Sequence, residues 1–180
     1  PLKHLLEYSI PLLKVNGKFI ALKSNIEEET KKAIHKQKHL LKNISVERIT
    51  VELNKLLMGS NTFNILTEFA DVFAVIIPEI EPCISFKQYG KKHAYDVWTH
   101  ICHTVDTIPQ DRILRLTMLL HDLGKVPTHK LSEKGDSTFK NHATVGGEMA
   151  KEILKLGLYI GIGGAVTFKN ARKIVENNWL

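Results

Sequence analysis

A chain of 180 residues with 43% apolar side chains is long enough to bury a core, and a charged share of 24% is that of a globular rather than a disordered protein. The net charge of +6 permits phosphate-rich partners but is too modest and too spread out to establish nucleic-acid binding. Cys83 and Cys102, with no paired spacing, exclude a disulfide framework and a structural zinc knot and point to a cytoplasmic protein with two core thiols. No secretory leader is visible, and the longest apolar run, LGLYIGIGGAVTF, is too short and glycine-rich to span a bilayer, so no membrane partner is expected. Because the chain opens at Pro1 straight into an apolar pattern, it reads as an excised or joined piece.

Residues 1–24, PLKHLLEYSIPLLKVNGKFIALKS, predict a helix over Leu2 to Ile10, a break at Pro11, a turn at Asn16-Gly17 and a short strand FIAL. This stretch resembles the late helix, turn and strand of ribosomal RNA methyltransferases of the glucose-inhibited division protein B family. It contains none of that family's glycine-rich cofactor loop, so methyl transfer is not implied. From Ile26 the pattern turns helical: IEEETKKAIHKQKHLLKN places glutamates in the first turn and lysines later, as the helix dipole favours. Glu27 with Lys31 and Glu28 with Lys32 stand four apart, the spacing of a helical ion pair. His35, Lys36, Lys38, His39 and Lys42 form a basic set that reads first as a solvated face and second as an RNA-backbone contact.

Ser45 is placed as the N-cap of VERITVELNKLLMG, whose Val46, Ile49, Leu53, Leu56 and Leu57 form one apolar stripe stopped by Gly59. Asn61 to Ile77 predicts one further packing helix carrying Phe63, Leu66, Phe69, Phe73 and Ile76, ended by Pro78 and Pro82. The following EIEPCISFKQYGKK reads as a linker to a helix opening at His93. On that helix His93 and His100 would share a face seven residues apart, with His93 read first as exposed to solvent and second as an aid to the site, His103 off the face and Trp98 packed.

The segment RILRLTMLLHDLGK, Arg112 to Lys125, is apolar nearly all round, the mark of a helix buried at the centre of a small domain. It ends in His121 and Asp122, with Gly124 supplying a permissive backbone for the turn. An imidazole and a carboxylate side by side at the end of a buried helix cost free energy unless satisfied. They can bond to each other, or a divalent metal can satisfy them. A second histidine, His142, opens the helical pattern HATVGGEMAKEIL, so three helices each bring an imidazole: His100, His121 and His142. Nitrogen ligands with one carboxylate suit a transition metal or manganese better than calcium. Between them PTHKLSEKGDSTFKNH reads as a polar loop across the mouth of the site, with His129, Lys130, Lys134 and Lys140 giving it positive charge.

The spread pattern of His100, then LLHDLGK, then FKNHATVGGEMA resembles the HD superfamily of metal-dependent phosphohydrolases. With SVERITVELNKLL and HAYDVWTH ahead of them, the blocks over about Ile26 to Lys155 resemble the C-terminal half of bacterial tRNA nucleotidyltransferases, the CCA-adding and poly(A) polymerase family. The resemblance implies metal positions at His100, His121, Asp122 and His142, catalytic roles for Asp122 and Lys125, and a divalent metal such as manganese, nickel or magnesium. It implies hydrolysis of a phosphomonoester or cyclic phosphodiester, in which the metal would lower the pKa of a water and Lys125 would stabilise phosphoryl charge. It also assigns the basic helical face to a tRNA-binding body. Two departures stand out. HD proteins usually close the site with a late aspartate, whereas no aspartate follows Asp136, so the metal site is expected to be incomplete and the metal open to loss. The nucleotidyltransferase head is also missing, so nucleotide addition is not expected.

The last residues, LGLYIGIGGAVTFKNARKIVENNWL, break pattern into a glycine-bearing β-like run and a short helix, and resemble one strand-loop-helix unit of TatD-type deoxyribonucleases without their metal ligands. The expected fold is therefore mainly α, an HD-type helical bundle with short β-prone flanks. Its parts are a foreign-looking flank over 1–25, a body segment over 26–82, a phosphohydrolase-like domain over 83–155 and a second foreign-looking flank over 156–180. The chain reads as a composite whose flanks pack poorly or pair FIAL with LYIGI as a marginal ribbon. Two functions follow: a metal-dependent phosphohydrolase module, or a non-catalytic RNA-binding or scaffold remnant. The oligomeric state is not legible.

Overall fold

The computed structural model describes residues 28–90, 93–155 and Gly157. The predictions for residues 1–27 and 158–180, including both flanks, the FIAL–LYIGI ribbon and the Glu27–Lys31 pair, lie outside the described residues. Within them the chain is mainly helical, as its periodicity predicts, with eight α-helices and a single two-residue hairpin.

The predicted basic helix is α1, Glu28–Gln37, which tightens into a 3-10 turn over Lys38–Asn43 instead of running on as α-helix. Its charges are used internally. His35 Nδ1 and Lys38 Nζ each lie 2.8 Å from an Asp71 carboxylate oxygen, and Lys31 pairs with Glu68 and Glu28. The His35 ring also stacks on Phe69, 5.3 Å between centroids. Two of the five proposed RNA-facing residues, His35 and Lys38, thus fasten this segment to the body, while Lys36, His39 and Lys42 stay exposed.

Helix α2, Val46–Leu57, follows Ser45 as predicted, although the serine hydroxyl makes no capping bond. Its stripe buries Leu53 and Leu57. The single helix expected over 61–77 is two, α3 (Thr62–Glu68) and α4 (Ala70–Ile76), jointed at Phe69. The break has a partner: the indole of Trp98 donates to the Leu66 carbonyl at 3.1 Å, the acceptor that the Ala70 N–H would claim in an unbroken helix. Pro78, expected to end the helix, opens a 3-10 turn over Pro78–Cys83 where a linker was expected from Glu79, and its three-residue repeat sends Ile80 and Cys83, with Ile77 just before it, into the core.

Helix α5, Val97–Thr107, starts four residues later than predicted because Asp96 caps it, accepting from the Thr99 N–H at 3.0 Å. His93 therefore precedes the helix and does not share a face with His100; its ring meets Phe139 edge-on at 5.7 Å. Helix α6, Arg112–Leu120, is capped by Asp111 and packs along α5. Its all-round apolar reading needs correction: Leu114 is 46% exposed, and Arg115 is buried at 3%. The Arg115 guanidinium donates to the carbonyls of Leu57 (2.6 Å) and Gly59 (2.8 Å) and to Thr62 Oγ1 (3.0 Å). It thereby satisfies acceptors that the end of α2 leaves open.

The predicted mouth loop is ordered. It comprises α7 (Lys125–Thr128) and an antiparallel hairpin of β1 (Lys130–Leu131) with β2 (Ser137–Thr138). Helix α8, His142–Lys155, then packs on α7. No helix of the described residues is long and apolar enough to cross a membrane.

Candidate metal centre

The end of α6 carries the chemistry inward. Leu119, Leu120 and Leu123 sink into the core and take Asp122 with them, leaving it 3% exposed beside the half-buried His121. A desolvated carboxylate needs positive or donor partners. Four nitrogens supply them. His100 Nε2 from α5 lies 3.3 Å from Asp122 Oδ2, His121 Nε2 lies 3.1 Å from it, and Lys125 Nζ lies 2.8 Å from it. His142 Nε2, from the first residue of α8, faces the other oxygen, Oδ1, at 3.8 Å. Burial pushes the Asp122 carboxyl up, but with His100 and His121 protonated their bonds, the His121 charge and the Lys125 ammonium carry it well below the usual carboxylate range.

The ring orientations are set by the backbone. His121 Nδ1 lies 2.7 Å from the Met118 carbonyl and His142 Nδ1 lies 2.7 Å from the Phe139 carbonyl. A carbonyl only accepts, so both rings carry a proton on Nδ1, and in a neutral ring the Nε2 lone pair is turned toward Asp122. A lone pair facing a carboxylate oxygen at 3.1 Å is repulsive unless the ring is protonated or a cation sits between them. Two ligand atoms about 2.1 Å from one ion and at right angles stand about 3.0 Å apart, close to the spacings found here. The donor atoms of His100, His121 and Asp122 all lie within 4.8 Å of one another, so these three fit a divalent ion. His142 stands outside that mutually close group, on the far side of the carboxylate.

Gly124 is needed at this corner for space and not for freedom of turning, since its φ of −71° is open to any residue. It lies against Gly146 of α8, and that close approach brings His142 up to the HD turn. Cys83 lies near enough for the Asp122 charge, together with burial, to push its thiol up to about 12, so it is an inert core thiol, as Cys102 also is. His103 stacks against Phe63 and Tyr95, away from the site, and His129 bonds Ser137 Oγ at 3.0 Å. Sequence reasoning missed Gln88, whose side chain reaches Lys125, and Phe139, whose ring lies 5.4 Å from the Lys125 ammonium. Neither carries a motif; the Phe139–His142 spacing hints only at the second.

The comparisons agree with this architecture. Residues 90–178 match the HD domain, and residues 25–84 match the family described as "Probable RNA and SrmB- binding site of polymerase A". The chain thus carries an HD domain behind a helical body segment. More particularly, it resembles the body and HD region of tRNA nucleotidyltransferases. It is 35% identical over 82 residues to a CCA-adding enzyme of Ligilactobacillus salivarius, covering 41% of this chain and 20% of that enzyme. It is 57% identical over 42 residues to one of Lactococcus lactis subsp. cremoris, covering 23% of this chain and 10% of that enzyme. The matched part is thus a fifth or less of these relatives' length. No solved structure matches the chain.

Proposed function

We propose that the centre is that of a metal-dependent phosphohydrolase acting on a phosphomonoester or cyclic phosphodiester in the cytoplasm. The observation that carries this reading is the convergence of His100 Nε2, His121 Nε2 and Lys125 Nζ on one buried oxygen of Asp122. His100, His121 and Asp122 would hold a divalent ion such as manganese, nickel or magnesium, with His142 as a further nitrogen close by. When bound, that ion supplies Lewis acidity, polarising a phosphoryl oxygen and acidifying water. The protein's own groups do the rest. The Met118 carbonyl keeps His121 in the tautomer that offers Nε2, and Lys125 commits N–H groups to Asp122 and Gln88 while a third can meet a phosphoryl oxygen. Calorimetric titration with manganese and nickel, alongside hydrolysis of p-nitrophenyl phosphate and a cyclic nucleotide, tests the reading. One ion per chain and turnover lost in His121→Ala are expected; no binding and no turnover would overturn it.

A second reading, a non-catalytic remnant that binds tRNA through a basic helical face, is favoured by the match of residues 25–84 and by the exposed Lys36, His39 and Lys42. Salt-dependent tRNA binding that weakens in a Lys36→Ala, Lys42→Ala double variant would support it.

A further inference from the structure

A lysine that stabilises phosphoryl charge has to be held still, and a lysine side chain has four carbons of flexible stem. We propose that Gln88 is the positioning residue that holds the Lys125 ammonium at Asp122 and sets the direction of its remaining N–H. The role rests on the hydrolase reading above. Lys125 Nζ donates to Gln88 Oε1 at 3.1 Å, and Gln88 Nε2 donates to the Tyr95 carbonyl at 3.1 Å. The amide orientation is determined by its partners, because an ammonium only donates and a carbonyl only accepts; flipping the amide would break both bonds.

Gln88 is itself on fixed ground. Two residues before it, the Phe86 carbonyl accepts from the Val97 N–H at 3.0 Å, tying the segment to the start of α5. One residue after it, Tyr89 is bonded twice to Ser137 of β2: its N–H donates to Ser137 Oγ at 2.8 Å, and its carbonyl accepts from the Ser137 N–H at 2.8 Å. The chain can turn away immediately afterwards because Gly90 takes φ 115°. Gln88 thus links the capped end of α5 and the hairpin to the ammonium. With the Asp122 carboxylate and the Phe139 ring as its other neighbours, the amine is located from three directions.

The test uses the full chain and compares the wild type with Gln88→Leu, Gln88→Glu, Lys125→Met and the Gln88→Leu, Lys125→Met pair. Acylation of Lys125 by acetic anhydride, followed by peptide mass spectrometry, reads the holding without any metal or substrate. Gln88→Leu should label Lys125 about tenfold faster, the scale of one hydrogen bond to a charged group, while Gln88→Glu, which keeps an acceptor, should return labelling toward the wild-type rate. With manganese and p-nitrophenyl phosphate, Gln88→Leu should lower kcat and leave KM within about twofold, and should cost nothing further on the Lys125→Met background. Equal or slower labelling in Gln88→Leu overturns the proposal, as does unchanged kcat in an active enzyme. A wild type without turnover defeats only the hydrolase reading, because the labelling comparison still decides whether Gln88 holds the lysine.

Discussion

Replacing Gly124 with alanine tests the corner on which α8 is seated against the HD turn. A Cβ built there falls 2.2 Å from the His142 carbonyl oxygen, 2.4 Å from the Gly146 nitrogen and 2.9 Å from the Gly146 Cα. All three are backbone atoms in the first turns of α8, so no side chain can rotate away to make room. Restoring the tightest contact from 2.2 Å to the 3.4 Å of ordinary packing means moving α8 by about 1.2 Å. Overpacking typically costs 1–3 kcal/mol, and a clash against backbone belongs at the upper end, so about 3 kcal/mol is expected. That is a large share of the roughly 5–15 kcal/mol of a folded domain. Urea unfolding at unchanged m-value measures it. The control is Gly147→Ala, one residue along the same helix, where a Cβ meets nothing within 4 Å. There the gain in helix propensity should stabilise by about 0.5–1 kcal/mol. A Gly124→Ala protein as stable as the wild type, or indistinguishable from Gly147→Ala, would refute the close-packing explanation.

Arg115→Met should cost about 3 kcal/mol, since charged hydrogen bonds are worth about 1.5–3 kcal/mol each and the abandoned carbonyls stay buried. Arg115→Lys should rescue little, because an ammonium lacks the planar fork; urea midpoints decide both. Asp122→Asn should abolish the calorimetric manganese signal and destabilise by about 3 kcal/mol by leaving the buried Lys125 ammonium without its anion; retained binding would count against the proposed ligand set. Burial pushes the Asp71 carboxyl up, but bonds from Lys38 and His35 outweigh that and leave it lowered. Its stabilisation is therefore full above the unfolded carboxyl value of about 3.9 and lost as pH falls through the lower folded value. The gap in urea midpoint between wild type and Asp71→Asn should close on acidification, and a gap constant into strong acid would show that Asp71 is not its source.

The sequence by itself determined what repeats along the chain or stands next to itself in it: the helical stripe of α2, the apolar run that ends in the adjacent His121-Asp122 pair, and the sites of the two core thiols. The caps at Asp96 and Asp111 show only in the structure, and HAYDVWTH is helical in period from His93, so periodicity alone starts α5 four residues early. What only the tertiary structure decided lies between segments far apart in the chain. Arg115 looks like a surface charge until the end of α2, more than fifty residues away, presents its carbonyls to it. The break at Phe69 needs Trp98, the role of Gln88 needs Lys125, and the requirement for glycine at 124 needs α8. Periodicity reports which face of an element is buried, because burial follows the local helical geometry. It carries no information about which donor a buried acceptor will meet, since that choice is made only when the helices pack.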